Sequence, residues 1–300
     1  MESLTYVKNY LLAKTARTLV GILKFASSSL TLQPDEVIQI PSRNAPRTIT
    51  AHIYKPKTPS VGAGPVLLNF HGSGFVLPMH GSDDAFCRYI SEKTSYTVID
   101  VSYRMAPENP FPAALNDVED SIKWVVENNK SHEFDLSRLA LSGFSAGANL
   151  VLAVASSTAF PKTTFSSVIA FYPPTDLAKD PALKVAPSTA GKPIPAPVAR
   201  FFNQCYIPAG VDPRDPRVSP SFAEPNNFPD KILFVTCAQD SLAVEVEELA
   251  EKIGAVDGKE VVVKRMEECN HGWNLSTVEG SVQEKAKWNA YTLVLETLGV

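Results

Sequence analysis

Gly143-Phe144-Ser145-Ala146-Gly147 constrains this chain more than any other stretch, because of what flanks it. Leu139-Ala140-Leu141 before it reads as the end of a buried strand, and residues 149–155 after it read as a helix. A G-x-S-x-G sequence on a strand-to-helix turn is a nucleophile elbow. Such a turn is tight enough to strain the serine backbone, and small neighbours let strand and helix close around it. The serine hydroxyl then stands above the sheet at a helix N-terminus, where free N–H groups favour developing negative charge.

The rest of the chain supplies the context this turn needs. Strand patterns are expected over 36–40, 48–54, 66–70, 97–101, 168–171, 232–236 and 260–264. Helical patterns are expected over 83–93, from Pro112 to about 128, over 244–253 and over 284–298. Strands alternating with helices imply an α/β fold with a mostly parallel central sheet flanked by helices. The 300 residues, 44% of them hydrophobic, are read as a single domain. One region breaks the alternation: 13 of the 24 prolines lie between Pro173 and Pro229. That density forbids a long helix or central strand, so the segment over 177–225 is expected to be a lid. Phe201, Phe202 and Tyr206 would give it an apolar underside.

Residues 6–25 mix Leu, Ile and Val with Lys8, Lys14, Arg17 and Lys24, too many charges for a membrane span. Leu4, Val7, Leu11, Thr18, Ile22 and Phe25 are expected to share one face of an amphipathic helix. That helix either docks on the domain, capping the cleft with residues 1–30, or makes a weak contact with a membrane surface. A net charge of −4 leaves no footprint for nucleic acid. Four scattered cysteines suggest neither a disulfide framework nor zinc, and five histidines lack metal-site spacing. A reducing, cytoplasmic setting is expected, with no metal or organic cofactor.

A serine nucleophile needs a base, an orienting acid and an oxyanion hole. With an elbow of this type the order along the chain is serine, acid, histidine. His271 is the only histidine after Ser145. The acid is less forced. Asp240 directly follows the strand over 232–236, at the carboxyl end where open α/β sheets place their sites. Asp257 falls at the opposite end, Glu267 and Glu268 are close in sequence to His271, and five further aspartates lie in or near the lid. Asp240 is the favoured choice, its plain structural role being a helix N-cap. His71-Gly72-Ser73-Gly74 reads as the oxyanion loop: Ser73 and Gly74 would offer their N–H groups together with Ala146, Gly72 would let the loop bend, and the His71 ring would brace it. Phe75, Phe144, Phe201, Phe202 and Trp273 are expected to line an apolar substrate pocket. Cys237 and Cys269, flanking the acid and the base, are read as buried, inert thiols rather than a redox clamp.

With these residues in place the chain resembles the hormone-sensitive-lipase-type carboxylesterases of the α/β-hydrolase superfamily, which carry an H-G-G-G loop upstream of the elbow. The likeness runs from about residue 66 to 273 and includes Tyr103-Arg104-Met105-Ala106-Pro107-Glu108 and Phe111-Pro112-Ala113-Ala114. It implies the α/β-hydrolase fold, Ser145 as nucleophile, Asp240 as acid, His271 as base, and a cap built from the N-terminal helix and the segment after the elbow. Three positions depart from the family pattern: Ser73 replaces the second loop glycine and adds a hydroxyl near the acyl group, Phe144 stands where a polar residue is usual, and Ser241 replaces a proline after the acid. The expected function is hydrolysis of small-molecule carboxylic esters with short- to medium-chain or aromatic groups, through an acyl-enzyme, by a monomer or homodimer. Lactonase, amidase or acyltransferase chemistry shares the same triad, and a receptor that keeps the pocket without catalysis is the alternative of another class.

Overall fold

Eight strands form one sheet in the order β1-β2-β4-β3-β5-β6-β7-β8 in the computed structural model, which describes residues 2–26 and 33–299. The strands are β1 (Glu36–Pro41), β2 (Thr48–Tyr54), β3 (Gly64–Phe70), β4 (Thr97–Val101), β5 (Phe134–Phe144), β6 (Ser167–Phe171), β7 (Lys231–Cys237) and β8 (Glu260–Met266). β1, β2 and β4 pair antiparallel, and every pairing from β4 to β8 is parallel. Parallel strands need crossovers, supplied by α2 (Asp84–Lys93), α3 (Ala113–Glu127), α4 (Ala146–Ala155), the long β6–β7 connection that contains α5 (Ala196–Tyr206), and α6 (Ala243–Gly254); α1 (Glu2–Ala26) precedes the sheet and α7 (Val282–Thr297) follows it.

Both faces of the sheet are covered. Val118 and Ile122 of α3, Val151 of α4 and Leu249 of α6 pack with Val66, Leu68, Leu141 and Phe234 on one face. On the other, Phe86 and Ile90 of α2 and Tyr291 and Val294 of α7 pack with Leu67, Val98, Phe171 and Leu233. Burial on both faces explains why β3, β5 and β6 read as apolar runs instead of alternating patterns. α4 is buried at every position, as the helix following the elbow must be to hold Ser145 rigidly.

The proline-rich segment forms turns of 3-10 helix at Pro181–Leu183, Pro220–Phe222 and Pro225–Asn227 around the single helix α5. α5 starts after Pro195 and keeps Pro197 in its first turn, where proline removes no intrahelical bond.

The N-terminal helix forms, but by another face than its apolar periodicity indicates. Leu4, Val7, Leu11 and Ile22 are 47–78% exposed, whereas Asn9 and Ala13 are buried. Phe25 and residues 27–30 of the expected cap lie outside the described side chains. Docking is polar instead: Arg17 donates to the carbonyls of Val76 (2.9 Å) and Ala106 (2.7 Å) and pairs with Glu108 at 2.7 Å. A guanidinium satisfying two buried carbonyls outweighs a leucine stripe with no apolar partner.

Candidate active site

Ser145 sits at φ 50°, ψ −116°, between the end of β5 and the start of α4. A non-glycine residue there carries strain of about 1–3 kcal/mol, sustained only where the surroundings over-determine it. They do so here: Ser145 N–H donates to Phe171 O at 2.9 Å, and its carbonyl accepts from Asn149 at 3.0 Å. Gly147 allows the closure, since a Cβ at that position would stand 2.0 Å from the carbonyl oxygen of Phe70.

The His271 ring spans the gap between serine and acid. Its Nε2 lies 2.8 Å from Ser145 Oγ and its Nδ1 lies 2.7 Å from Asp240 Oδ2. Asp240 is fully buried and its second oxygen accepts from the Leu242 N–H at 3.2 Å. Both carboxyl oxygens are therefore held, and the ring meets them in one orientation only. Edge-to-face contact with Tyr172, centroids 4.7 Å apart, supports the ring from the side. Among the acids considered from sequence, Asp240 is the one hydrogen-bonded to this ring.

The loop of Gly72, Ser73 and Gly74, expected to form the oxyanion hole, lines the same cavity as Ser145. Among the described residues, no main-chain carbonyl outside a helix or strand accepts from the N–H groups of Ser73, Gly74 or Ala146. Gly74 takes φ +55°, and a Cβ there would stand 2.6 Å from the Phe202 ring, so the loop and α5 touch through the missing side chain. The Ser73 hydroxyl lies 2.7 Å from the Tyr103 hydroxyl and accepts from Phe75 N–H at 2.9 Å. A buried hydroxyl finds partners, and the loop's own turn provides them. Tyr103 donates to the His71 carbonyl at 2.6 Å and stacks on the buried His71 ring at 4.5 Å. His71 and Tyr103 together brace the loop. The bracing role of Tyr103 rests on these tertiary contacts, which no local sequence pattern signals.

A cavity of about 230 Å³ opens over Ser145 and His271. Phe75, Phe144 and Phe202 line it, as do Leu77, Met79, Leu177, Ile194 and Leu242. Phe201 and Trp273 do not. Phe201 packs against Phe202, ring centroids 5.6 Å apart, without reaching the cavity, and Trp273 packs against Tyr172. Two polar groups in the wall had no sequence signal. Asp83 is buried, and its burial, reinforced by the nearby Asp100 charge, raises its carboxyl well above the ordinary value. Lys184 forms an ion pair with Glu245 at 2.6 Å, both side chains about 5% exposed.

Cys237 and Cys269 are buried and unpaired; burial raises both thiols, Cys269 to about 11.

A family model described as the alpha/beta hydrolase fold matches residues 67–275. The chain belongs to that family. A fission-yeast (Schizosaccharomyces pombe) AB hydrolase superfamily protein is 28% identical over 84% of this chain and 76% of its own length. Carboxylic ester hydrolase LipN of Mycobacterium tuberculosis is 31% identical over 75% of this chain and 61% of its own. Among solved structures, an esterase from Pyrobaculum calidifontis superposes with a TM-score of 0.80 at 27% identity, covering 95% of this chain and 92% of that one. The resemblance to carboxylesterases of the hormone-sensitive-lipase type agrees with these relatives.

Proposed function

We propose that the chain hydrolyses carboxylic esters of small molecules, with Ser145 as nucleophile, His271 as general base and Asp240 as the acid that orients it. The observation that carries this reading is the unbroken line from Ser145 Oγ through His271 to Asp240, at 2.8 and 2.7 Å. His271 Nε2 accepts the serine proton as Oγ attacks the ester carbonyl, and Asp240 stabilises the imidazolium. The oxyanion rests on the N–H groups of Ser73, Gly74 and Ala146, a single such donor being worth roughly 3–4 kcal/mol in favourable sites. His271 returns the proton to the departing alcohol, then activates the water that releases the acid. No step calls on a metal or organic cofactor. LipN and the Pyrobaculum protein, named as ester hydrolases, support the same reading.

The cavity's size and apolar wall favour short- to medium-chain or aromatic groups. Its roof is the 177–225 segment with α1 behind it, which we read as the cap of one 1–300 domain. Four buried, unpaired cysteines support a reducing cytoplasm, and among the described residues no helix is long and apolar enough to cross a membrane. The outward leucines of α1 support weak contact with a membrane surface, measured by co-sedimentation with anionic vesicles. Exposed β8 at the sheet edge supports a homodimer over a monomer, which sedimentation velocity decides.

The functional test is hydrolysis of p-nitrophenyl esters from acetate to palmitate by wild type and Ser145→Ala. Turnover peaking on the shorter chains and vanishing in the variant is expected. Failure of an organophosphonate to label Ser145 would sink the hydrolase reading.

A further inference from the structure

The antiparallel pairing of β2 with β4 sets His52 directly opposite Asp100, and parallel pairing sets Asn69 of β3 beside Asp100 and Ser142 of β5 beside Asn69. Four polar residues thus form one row across four strands. Ser142 Oγ donates to Asn69 Oδ1 at 2.8 Å, and Asn69 Nδ2 donates to Asp100 Oδ1, also at 2.8 Å. This leaves Asp100 Oδ2 facing away from the row, toward a histidine. His80, on the loop that follows the oxyanion turn, brings Nε2 to 3.2 Å from that oxygen and 3.1 Å from the Asp100 main-chain carbonyl. The His52 ring lies 4.1 Å from the His80 ring, centroid to centroid. His52 Nδ1 is buried without a hydrogen bond and sits 3.9 Å from Asp84 Oδ1.

We propose that His52, His80 and Asp100 bind a zinc ion. One ligand atom from each lies within 4.8 Å of the other two. Ligands 2.0–2.2 Å from a tetrahedral ion stand about 3.3–3.6 Å apart, so closure takes side-chain shifts of about 1 Å. Two imidazoles and a carboxylate suit zinc among the divalent metals, with water completing the tetrahedron. The outer shell is already built: Asn69 fixes one oxygen of Asp100 and presents the other. Access is open too, because the His52 and His80 side chains are 21% and 16% exposed while Asp100 is fully buried. On binding, the ion takes the place of the His80 Nε2 proton, the ring keeps its Nδ1 proton, and a His80 that starts as imidazolium releases one proton to solvent. The five histidines show no metal spacing along the chain because these ligands are joined by strand register, not by local sequence. The site lies behind the oxyanion loop: the His71 and His80 rings are 5.9 Å apart, and Asp83 of the same loop lines the cleft. Bound zinc would staple residues 71–83 to the antiparallel edge of the sheet.

The test uses the full chain, stripped with chelator and dialysed. It is titrated with Co²⁺, read by its tetrahedral visible absorption, and with Zn²⁺ by calorimetry, for wild type, His52→Gln, His80→Gln and His271→Ala. One saturable equivalent is expected in wild type and in His271→Ala, weakened at least 100-fold in His52→Gln and His80→Gln. Absence of saturable binding by folded wild type overturns the proposal, as does binding that survives both glutamine variants or disappears only in His271→Ala. If the variants do not fold, X-ray absorption of zinc-loaded wild type decides: two imidazoles with oxygen ligands support the site, and a sulfur shell overturns it. Zinc at 100-fold excess over its Kd should raise the unfolding temperature by about 3–6 °C.

Discussion

The floor and the roof of the cleft are built by different means. The floor is main chain under constraint: a strained serine, a glycine that admits no side chain, and a histidine held at both nitrogens, all anchored to parallel strands. The roof is side chains on irregular backbone: short 3-10 turns, α5, an ion pair within the roof (Arg200–Asp180) and one down to α6 (Lys184–Glu245). Backbone geometry fixes where chemistry occurs, while the side chains above adjust what is admitted. Floor lesions should therefore act on kcat with little change in stability, and roof lesions on stability and selection.

The sharpest way to break the floor is Ser145→Ala, for which kcat should fall on the order of 10⁶-fold with the unfolding temperature little changed, since alanine keeps the same strained backbone. Steady-state kinetics alongside calorimetry reads both. Asp240→Asn keeps the shape and should cost about 10⁴-fold in kcat by favouring the wrong imidazole tautomer; a loss under 10-fold would place the orienting acid elsewhere. In the roof, Glu245→Ala strands the Lys184 charge in a nearly dry setting and should destabilise by about 3–5 kcal/mol in denaturant unfolding. The pair Lys184→Met with Glu245→Gln, which retains an acceptor for the Thr175 N–H, should recover most of that loss. Phe202→Ala opens the wall beside Gly74 and should move the acyl-length optimum toward longer chains, with about a 10-fold change in the ratio of kcat/KM for octanoate over acetate.

The smallest effect concerns pH. Burial opposes charge on His80, but hydrogen bonding and charge from Asp100, with Asp84 adding to them, raise its pKa above the usual 6.5. Burial alone would raise Asp100; His80, with His71 and Asn69, brings it below the ordinary carboxylate value. Burial and the neighbouring His80 lower the His52 pKa. The raised histidine contributes fully below pH 6.5 and loses its contribution as pH rises through its folded value. The depressed aspartate fails only in acid. In chelator, the gap in unfolding temperature between wild type and His80→Gln should be a few degrees at pH 6 and close toward pH 9.

The same division separates what could be read from the sequence from what could not. Strands and helices were legible because their period and the turn at Ser145 are local properties, and the single histidine after the serine left one choice of base. Three features needed tertiary structure. The docking face of α1 was misread because a leucine stripe is visible in sequence whereas the carbonyls awaiting Arg17 are not. Phe201 and Trp273 were placed in the pocket on composition, although neighbouring helical positions point about 100° apart. His52 and Asp100, 48 positions apart in the chain, meet only through the antiparallel register of β2 with β4.

Asn270, next to the base, accepts the Lys192 N–H through its side chain at 2.6 Å, and Ser188 N–H donates to Ala238 O at 2.7 Å, two residues before the acid. The roof is thus latched to the very loops that carry His271 and Asp240. Roof and triad residues are joined by hydrogen bonds rather than merely stacked, so a shift of residues 188–192 carries the loops of Asp240 and His271 with it.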